Sequence, residues 1–361
     1  MDLAEAFKKY VMKLETTYDV DTTDRFKYTY TTWILTFSAF AALAYGVFDK
    51  PMSCWVPQQF HGSWKQYVEN YCYVEGTYFV PMNLTNLPHV DQRMETKLNY
   101  YQWVPFILLT FAVVTYLPRL LWKQIQSFQD VRISTITAAS RKDAKSHLYT
   151  GSTYELCDQN RADEVLNLFH RWKAGNLLTA TLLITKFVSI IVIMGQTVAL
   201  DWFLSGKIFN FYGIRLFYDI LDGRDWRTSG VFPRTTFCDV QVREMAAVQT
   251  WTVQCVLKAN MYYEKLFLLI WLWYFSLTIV SLINFVKWIY WSLPYNQVYF
   301  LRDVIKIFDE DAPLAKVQKL YRRLQSDGTT VARLVKENSN LYNTAKFLKP
   351  IWDAMEDFKN D

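Results

Sequence analysis

The chain has 361 residues, a net charge of +5 and a mean hydropathy near zero, although 52% of its residues are hydrophobic and 17% are aromatic. That balance fits apolar spans alternating with long polar loops rather than one soluble core. No dinucleotide fingerprint, P-loop or solenoid repeat occurs. Basic residues facing an anionic inner leaflet account for the positive charge, so no nucleic acid is required.

Residues 1–26 carry Leu3, Phe7, Val11 and Leu14 at helical spacing, with Asp2, Glu5, Lys8, Lys9 and Lys13 on the other faces. Read alone, this arm is an amphipathic helix lying on the inner membrane surface. It contains no apolar core followed by a small-residue cleavage site, so it does not read as a signal peptide. Uncharged runs of 21 residues then lie between Lys27 and Asp49, between Lys97 and Arg119, and between Lys265 and Lys287. Each is near the roughly 20 residues needed to cross a bilayer. A fourth run, Ala174 to Leu200, is interrupted only by Lys186. The expected division is therefore four transmembrane helices over residues 27–48, 100–121, 176–200 and 262–291. Between and beyond them lie loops at 49–99, 122–175 and 201–261 and a tail at 292–361.

Lysine and arginine near the span ends set the orientation. Arg25, Lys27, Arg119, Lys123, Arg171, Lys173 and Lys287 fall on one side, which carries 26 basic residues against 11 in the two loops opposite. Both termini and the middle loop are thus expected in the cytoplasm, with 49–99 and 201–261 outside. Four of the five cysteines lie in those outer loops: Cys54 and Cys72 in the first, Cys238 and Cys255 in the second. In an oxidising space they are expected to form two disulfides, whereas Cys157 is expected to stay reduced. Spacing alone leaves all three connectivities open. Asn83-Leu84-Thr85 is the one glycosylation sequon on an outer face, and a glycan there would block close docking.

Within the spans, Pro105 is expected to kink the second helix, and Lys186 is the one charge deep inside a span, expected to face protein interior or water. Gly195 is expected to permit close helix packing. The fourth-span aromatics Tyr262, Tyr263, Trp271, Trp273, Tyr274, Trp288, Tyr290 and Trp291 read as interfacial belts. In the tail, Leu314, Val317, Leu320, Tyr321 and Leu324 form one apolar stripe, the mark of a packed helical cytoplasmic domain. His61, His89, His147 and His170 are scattered, no zinc-ligand cluster or nucleophile elbow occurs, and no cofactor, metal or catalytic role is expected.

The second span opens with Tyr100-Tyr101-Gln102-Trp103-Val104-Pro105, which resembles the innexin signature. Cys54-Trp55-Val56-Pro57, Tyr71-Cys72, Gly76-Thr77-Tyr78-Phe79-Val80-Pro81, Gly230-Val231-Phe232-Pro233-Arg234, Cys238-Asp239 and Gln254-Cys255-Val256-Leu257 are similar to innexin outer-loop motifs in order and spacing. The resemblance covers about residues 18 to 292. It implies an all-α integral membrane protein with four transmembrane helices, a small disulfide-stapled extracellular α+β domain and a helical cytoplasmic domain. It also implies cross-loop disulfides Cys54–Cys255 and Cys72–Cys238, and an N-terminal arm folded into the pore mouth as a funnel with Asp2, Glu5, Lys8 and Lys9 nearest the permeating ions.

Assembly follows from the same resemblance. Identical or related subunits would form a ring of about eight in the plasma membrane, docked through the outer loops to a second ring on the adjacent cell. Such a channel would pass ions and small solutes passively. A non-junctional pannexin-like release channel and a membrane adhesion protein are the alternatives.

Overall fold

In the computed structural model, residues 20–48, 51–80, 87–95, 97–128, 133, 175–205, 218, 222 and 232–357 are described. The expected funnel residues Asp2, Glu5, Lys8 and Lys9, the sequon Asn83 and Cys157 lie outside them. A helical turn α1 (Thr22–Arg25) passes through a π-helical segment (Phe26–Tyr30) into α2 (Thr31–Phe48). Then come β1 (Met52–Trp55), α3 (Gly62–Glu75), β2 (Thr77–Tyr78), α4 (Val90–Glu95), β3 (Lys97–Leu98) and α5 (Val104–Phe128). After α6 (Leu177–Ser205), strands β4 (Thr235–Glu244) and β5 (Ala247–Leu257) form a hairpin. Helices α7 (Lys258–Ser292), α8 (Pro294–Ile305), α9 (Leu314–Asn338) and α10 (Leu341–Asp357) complete the described chain.

Helices α5, α6 and α7 are each long and apolar enough to cross a membrane. The 18 residues of α2 carry no charge. The chain divides into two units, and these three helices contribute residues to both. One unit comprises Thr32–Val113 and Ile193–Ser276, and the other Met1–Thr31, Val114–Val192 and Leu277–Asp361.

The first unit holds a five-stranded antiparallel sheet in the order β1-β5-β4-β2-β3. Segment 51–99 supplies β1, β2 and β3, and segment 232–257 supplies β4 and β5. The central hairpin is thus flanked on both sides by strands from the earlier segment. Strands of two to four residues are marginal alone, so β1 and β2 exist because β5 and β4 template them, and β3 because β2 does. Their buried side chains and the adjoining halves of the long helices form one core around Tyr101, Leu108, Leu200, Phe267 and Tyr274.

In the second unit, α8, α9 and α10 pack through Leu301, Val304, Val317, Leu320, Leu348 and Trp352. Of the expected stripe, Val317, Leu320 and Leu324 are buried while Leu314 is exposed.

Two readings of the sequence are corrected here. Pro105 is the second residue of α5, after a 3-10 turn at Tyr100–Gln102, so its missing N–H falls among the donors a helix start leaves unpaired and no kink arises. A Cβ on Gly195 would meet nothing within 4 Å among the described residues of this chain, so packing within the chain does not call for glycine there. The fourth-span aromatics are not all interfacial. Tyr262 and Tyr290 are exposed, but Tyr263, Trp271, Tyr274 and Trp288 are buried as core packing.

Helix α9 bends at Gln325, whose φ of 50° and ψ of −162° are non-helical. Gly328 follows the bend, and a Cβ there would lie 2.6 Å from Leu324 Cδ2 and 3.0 Å from Leu324 Cβ. Leu324 is itself buried, so it has little room to yield. The Gly328→Ala protein is therefore expected to lose about 1–2 kcal/mol despite alanine's higher helix propensity, read as a lower melting temperature of the detergent-solubilised protein.

Candidate functional site: a stapled sheet and a buried ion-pair network

Two disulfides join the segments that build the sheet. Cys54 and Cys255 are register partners on β1 and β5 and are bonded to each other. Cys72, on the last turn of α3, is bonded to Cys238 on β4, which fastens the helix to the sheet. The Cys54, Cys72 and Cys255 sulfurs lie within 4.8 Å of one another. All are spent in disulfides, so no thiolate is left there to hold a metal.

A second tie is polar. The Asp239 carboxylate accepts from Tyr78 Oη at 3.0 Å, Thr252 Oγ1 at 2.6 Å and Arg93 Nη1 at 3.1 Å, drawing β2, β5 and α4 onto β4. Burial, reinforced by the Asp239 charge, pushes the Tyr78 hydroxyl up to about 12, so it remains a donor across the physiological range.

Residues 100–105 also have a structural task. Tyr101 Oη donates to the Tyr73 carbonyl at 3.2 Å, and Gln102 Nε2 donates to the Tyr73 and Val74 carbonyls at 2.5 and 2.9 Å. Helix C-termini leave such carbonyls unpaired, so the motif caps α3 one turn from Cys72. Gly76, at φ 98°, closes the same end, its N–H donating to the Cys72 carbonyl at 3.1 Å. Tyr100 packs edge-on against Phe203 and Phe232, and Val104 is fully buried. Together these residues weld the stapled helix to the start of α5.

In the other unit, Lys186 is 2% exposed on α6, an otherwise uncharged helix until Asp201. Its Nζ pairs with Asp21 Oδ2 at 2.7 Å and with Asp24, and lies 5.0 Å from the centre of the Trp288 ring. Asp21 accepts four hydrogen bonds, three of them on one oxygen. Oδ1 takes the Asp24 backbone N–H at 2.9 Å as the N-cap of α1, and Oδ2 takes Lys186, Asn284 Nδ2 and Trp288 Nε1, each at 2.7 Å. Asp24 Oδ1 pairs with Lys27 at 2.6 Å, and Lys27 donates to Ser189 Oγ at 2.8 Å. Within this network two aspartates balance two lysines, the condition under which buried ions are tolerated, and the buried Arg119 guanidinium beside it lies over the Tyr28 ring at 4.7 Å. The network ties residues 21–27 to α6 and α7.

The tail holds the same segment from another side. Asn338 donates to the Val20 carbonyl at 3.1 Å and accepts from Arg25 Nη2 at 3.1 Å. At the bend of α9, Asp327 Oδ1 accepts from Thr179 N and Oγ1, both at 2.9 Å, and so caps the start of α6.

The comparisons with known proteins decide what frame these features belong to. A model of the innexin family matches residues 20–355. The chain belongs to the innexin family. Innexin-17 of Caenorhabditis elegans is 37% identical to it over 361 residues, covering 97% of this chain and 98% of the relative. Innexin-16 of the same organism is 32% identical, covering 98% and 95%, and Innexin unc-9 is 31% identical, covering 98% and 96%. The family match spans both units and includes the four bonded cysteines, the capping motif and every member of the buried network.

Sequence reasoning singled out Lys186 in this innexin but not Asp21 or Asp24, which stand 165 and 162 residues away. Asp21 followed by Asp24 was the available signal: two acids at helical spacing just before an apolar run.

Because the four cysteines are 0–3% exposed, a reductant is expected to release no free thiol from the folded protein, and all four only in denaturant. Maleimide mass-tagging read on a gel checks this. Lys186→Met leaves two buried carboxylates without their shared cation and is expected to cost about 3–5 kcal/mol, whereas Lys186→Met with Asp21→Asn recovers part of the loss in a thermal-melt cycle. Burial alone would raise the Asp21 carboxyl, but Lys186 and the hydrogen bonds hold it well below the usual carboxylate range. Its stabilisation is therefore fully present above its unfolded value and fades only as pH falls towards the depressed folded one. Lowering pH from 7.5 to 5.5 should leave the coupling in that cycle unchanged.

Proposed function

We propose that this innexin is a subunit of a large-pore gap-junction channel that passes ions and small solutes between adjacent cells. In this reading the polypeptide spans the plasma membrane four times, with α2, α5, α6 and α7 as the spans and both termini in the cytoplasm. Subunits form a ring of about eight, and a second ring on the neighbouring cell docks against the stapled sheets. The same ring undocked acts as a hemichannel.

The observation that carries the reading is the sheet that interleaves strands from both loops and is closed by two cross-loop disulfides. A surface built this way resists deformation when pressed against a copy of itself, which is what docking of two rings requires. Transport is passive diffusion through the ring, and no side chain has a catalytic role.

The arm at residues 1–26 lines the cytoplasmic mouth, with Asp2, Glu5, Lys8 and Lys9 closest to permeating ions. Support comes from the network that fixes residues 21–27 against α6 and α7, since a funnel that narrows a pore must be rooted on the helices around it. Asn83 lies in the first outer loop and is left without sugar in a docking chain.

The test is a dual-cell recording on paired cells that both express the protein. Junctional current that disappears in the Cys72→Ala/Cys238→Ala protein is the expected result. Current across single-cell membranes without any between cells would assign the chain to release rather than to junctions. Cell clustering without conductance in either configuration would make it an adhesion protein.

A further inference from the structure

Where α7 ends, three cations alternate with two aromatic rings. Lys287 Nζ lies 4.1 Å from the Trp291 ring centre, the Arg333 guanidinium lies 4.5 Å from Trp291 and 4.4 Å from Phe300, and Lys336 Nζ lies 5.5 Å from Phe300. The stack joins α7, α8 and α9. Among the described residues its one ion pair is Glu337 with Lys287, at 3.8 Å. Three positive groups against one carboxylate leave a local excess of two charges.

Arg333 is 6% exposed. Its Nη2 makes a long contact to the Asn296 carbonyl at 3.5 Å, and its buried Nη1 has no hydrogen-bond partner. Ring faces attract a cation but do not fill the hydrogen-bonding capacity at the edge of a guanidinium. Burial draws Arg333 down to about 10, with Glu337 acting in the opposite direction, so it is charged at neutral pH. Lys287 and Lys336, at the two ends of the stack, are both exposed, as are Tyr290, Leu293 and Tyr295 around the end of α7. Exposed tyrosines next to lysines at the end of a long apolar helix have the character of the headgroup layer of a bilayer.

We propose that this stack binds a phosphate group carried by an anionic phospholipid of the cytoplasmic leaflet. Lys287 and Lys336 attract the charged oxygens of the headgroup from the two ends of the stack, and Arg333 supplies the underlying positive field while fixing Trp291 and Phe300. Basic clusters at the membrane edge of a helix select anionic headgroups by the same physics. The inference rests on the four-span reading, which puts this end of α7 at the membrane surface. Bound lipid would brace the tail helices against the fourth span.

The full-length protein is reconstituted in phosphatidylcholine nanodiscs with or without phosphatidylinositol 4,5-bisphosphate, and its melting temperature is read by intrinsic tryptophan fluorescence. The expected result is a rise of about 3 °C or more with the anionic lipid. Lys287→Gln/Lys336→Gln should lose that rise, and Lys306→Gln/Lys319→Gln, the same charge change at the C-cap of α8 and elsewhere on α9, should retain it. If the double variant does not reconstitute, Lys336→Gln alone is compared by native mass spectrometry, which counts retained lipid. Soluble inositol hexakisphosphate in lipid-neutral discs is the second arm. A rise there that needs Lys287 and Lys336, without one from the lipid, keeps the phosphate site but assigns it a soluble ligand. No rise in the unmodified protein, or equal rises in both double variants, overturns the proposal. Junctional coupling that persists alongside such a failure leaves the channel reading standing and removes only this site.

Discussion

An ammonium group in the middle of an apolar helix cannot stay charged without a partner, and the arrangement of the second unit follows from meeting that demand at Lys186. Desolvating a single charge is so unfavourable that a neighbour must supply the opposite one. Here the neighbours are Asp21 and Asp24, a second lysine balances the remaining charge of the set, and two uncharged donors complete the hydrogen bonds to Asp21. Coulomb attraction does not by itself make such a cluster stabilising relative to a well-packed apolar one. Its value lies in being intolerant of alternatives, because a shifted α1 would strand ions rather than merely loosen contacts. Asp21 sharpens this further. It is at once the cap that starts α1 and the acceptor for α6 and α7, so helix initiation and tertiary docking are one event.

The sheet unit solves a different problem by a different means. Its outer strands are short, its hairpin is the one long pairing among the described residues, and its two segments are separated in sequence by more than a hundred residues. Covalent bonds and the Asp239 cluster hold what backbone pairing alone would leave marginal. The capped end of α3 then passes this order on to α5 through Tyr101 and Gln102, so a motif useful for recognition proves also to be a joint.

How much of this was visible in the sequence depends on the range over which each signal acts. Apolar runs are local, so α5, α6 and α7 were legible, as were the buried Val317, Leu320 and Leu324 of the tail. Placement of the cysteines in two segments was legible from charge alone, but their pairing was legible only through the family resemblance, because geometry across 166 and 201 residues leaves no trace in spacing. Trp288 looked interfacial because tryptophan near a span end usually is; its burial is decided by an acceptor at position 21. Pro105 looked like a kink because the helix start was placed a few residues too early, and a proline changes meaning entirely between the first turn and the interior. The order of the sheet was illegible, since two-residue strands carry no periodicity.

The two disulfides, considered as chain topology, make the polypeptide a pair of nested covalent circles. Every peptide bond from Cys72 to Cys238 lies inside both. Helices α5 and α6 and everything between them therefore belong to a closed ring of atoms rather than to an open strand. A single break anywhere in that stretch leaves two pieces that still cannot part, so cleavage of the intervening segment changes the chain's connectivity without dismantling the subunit.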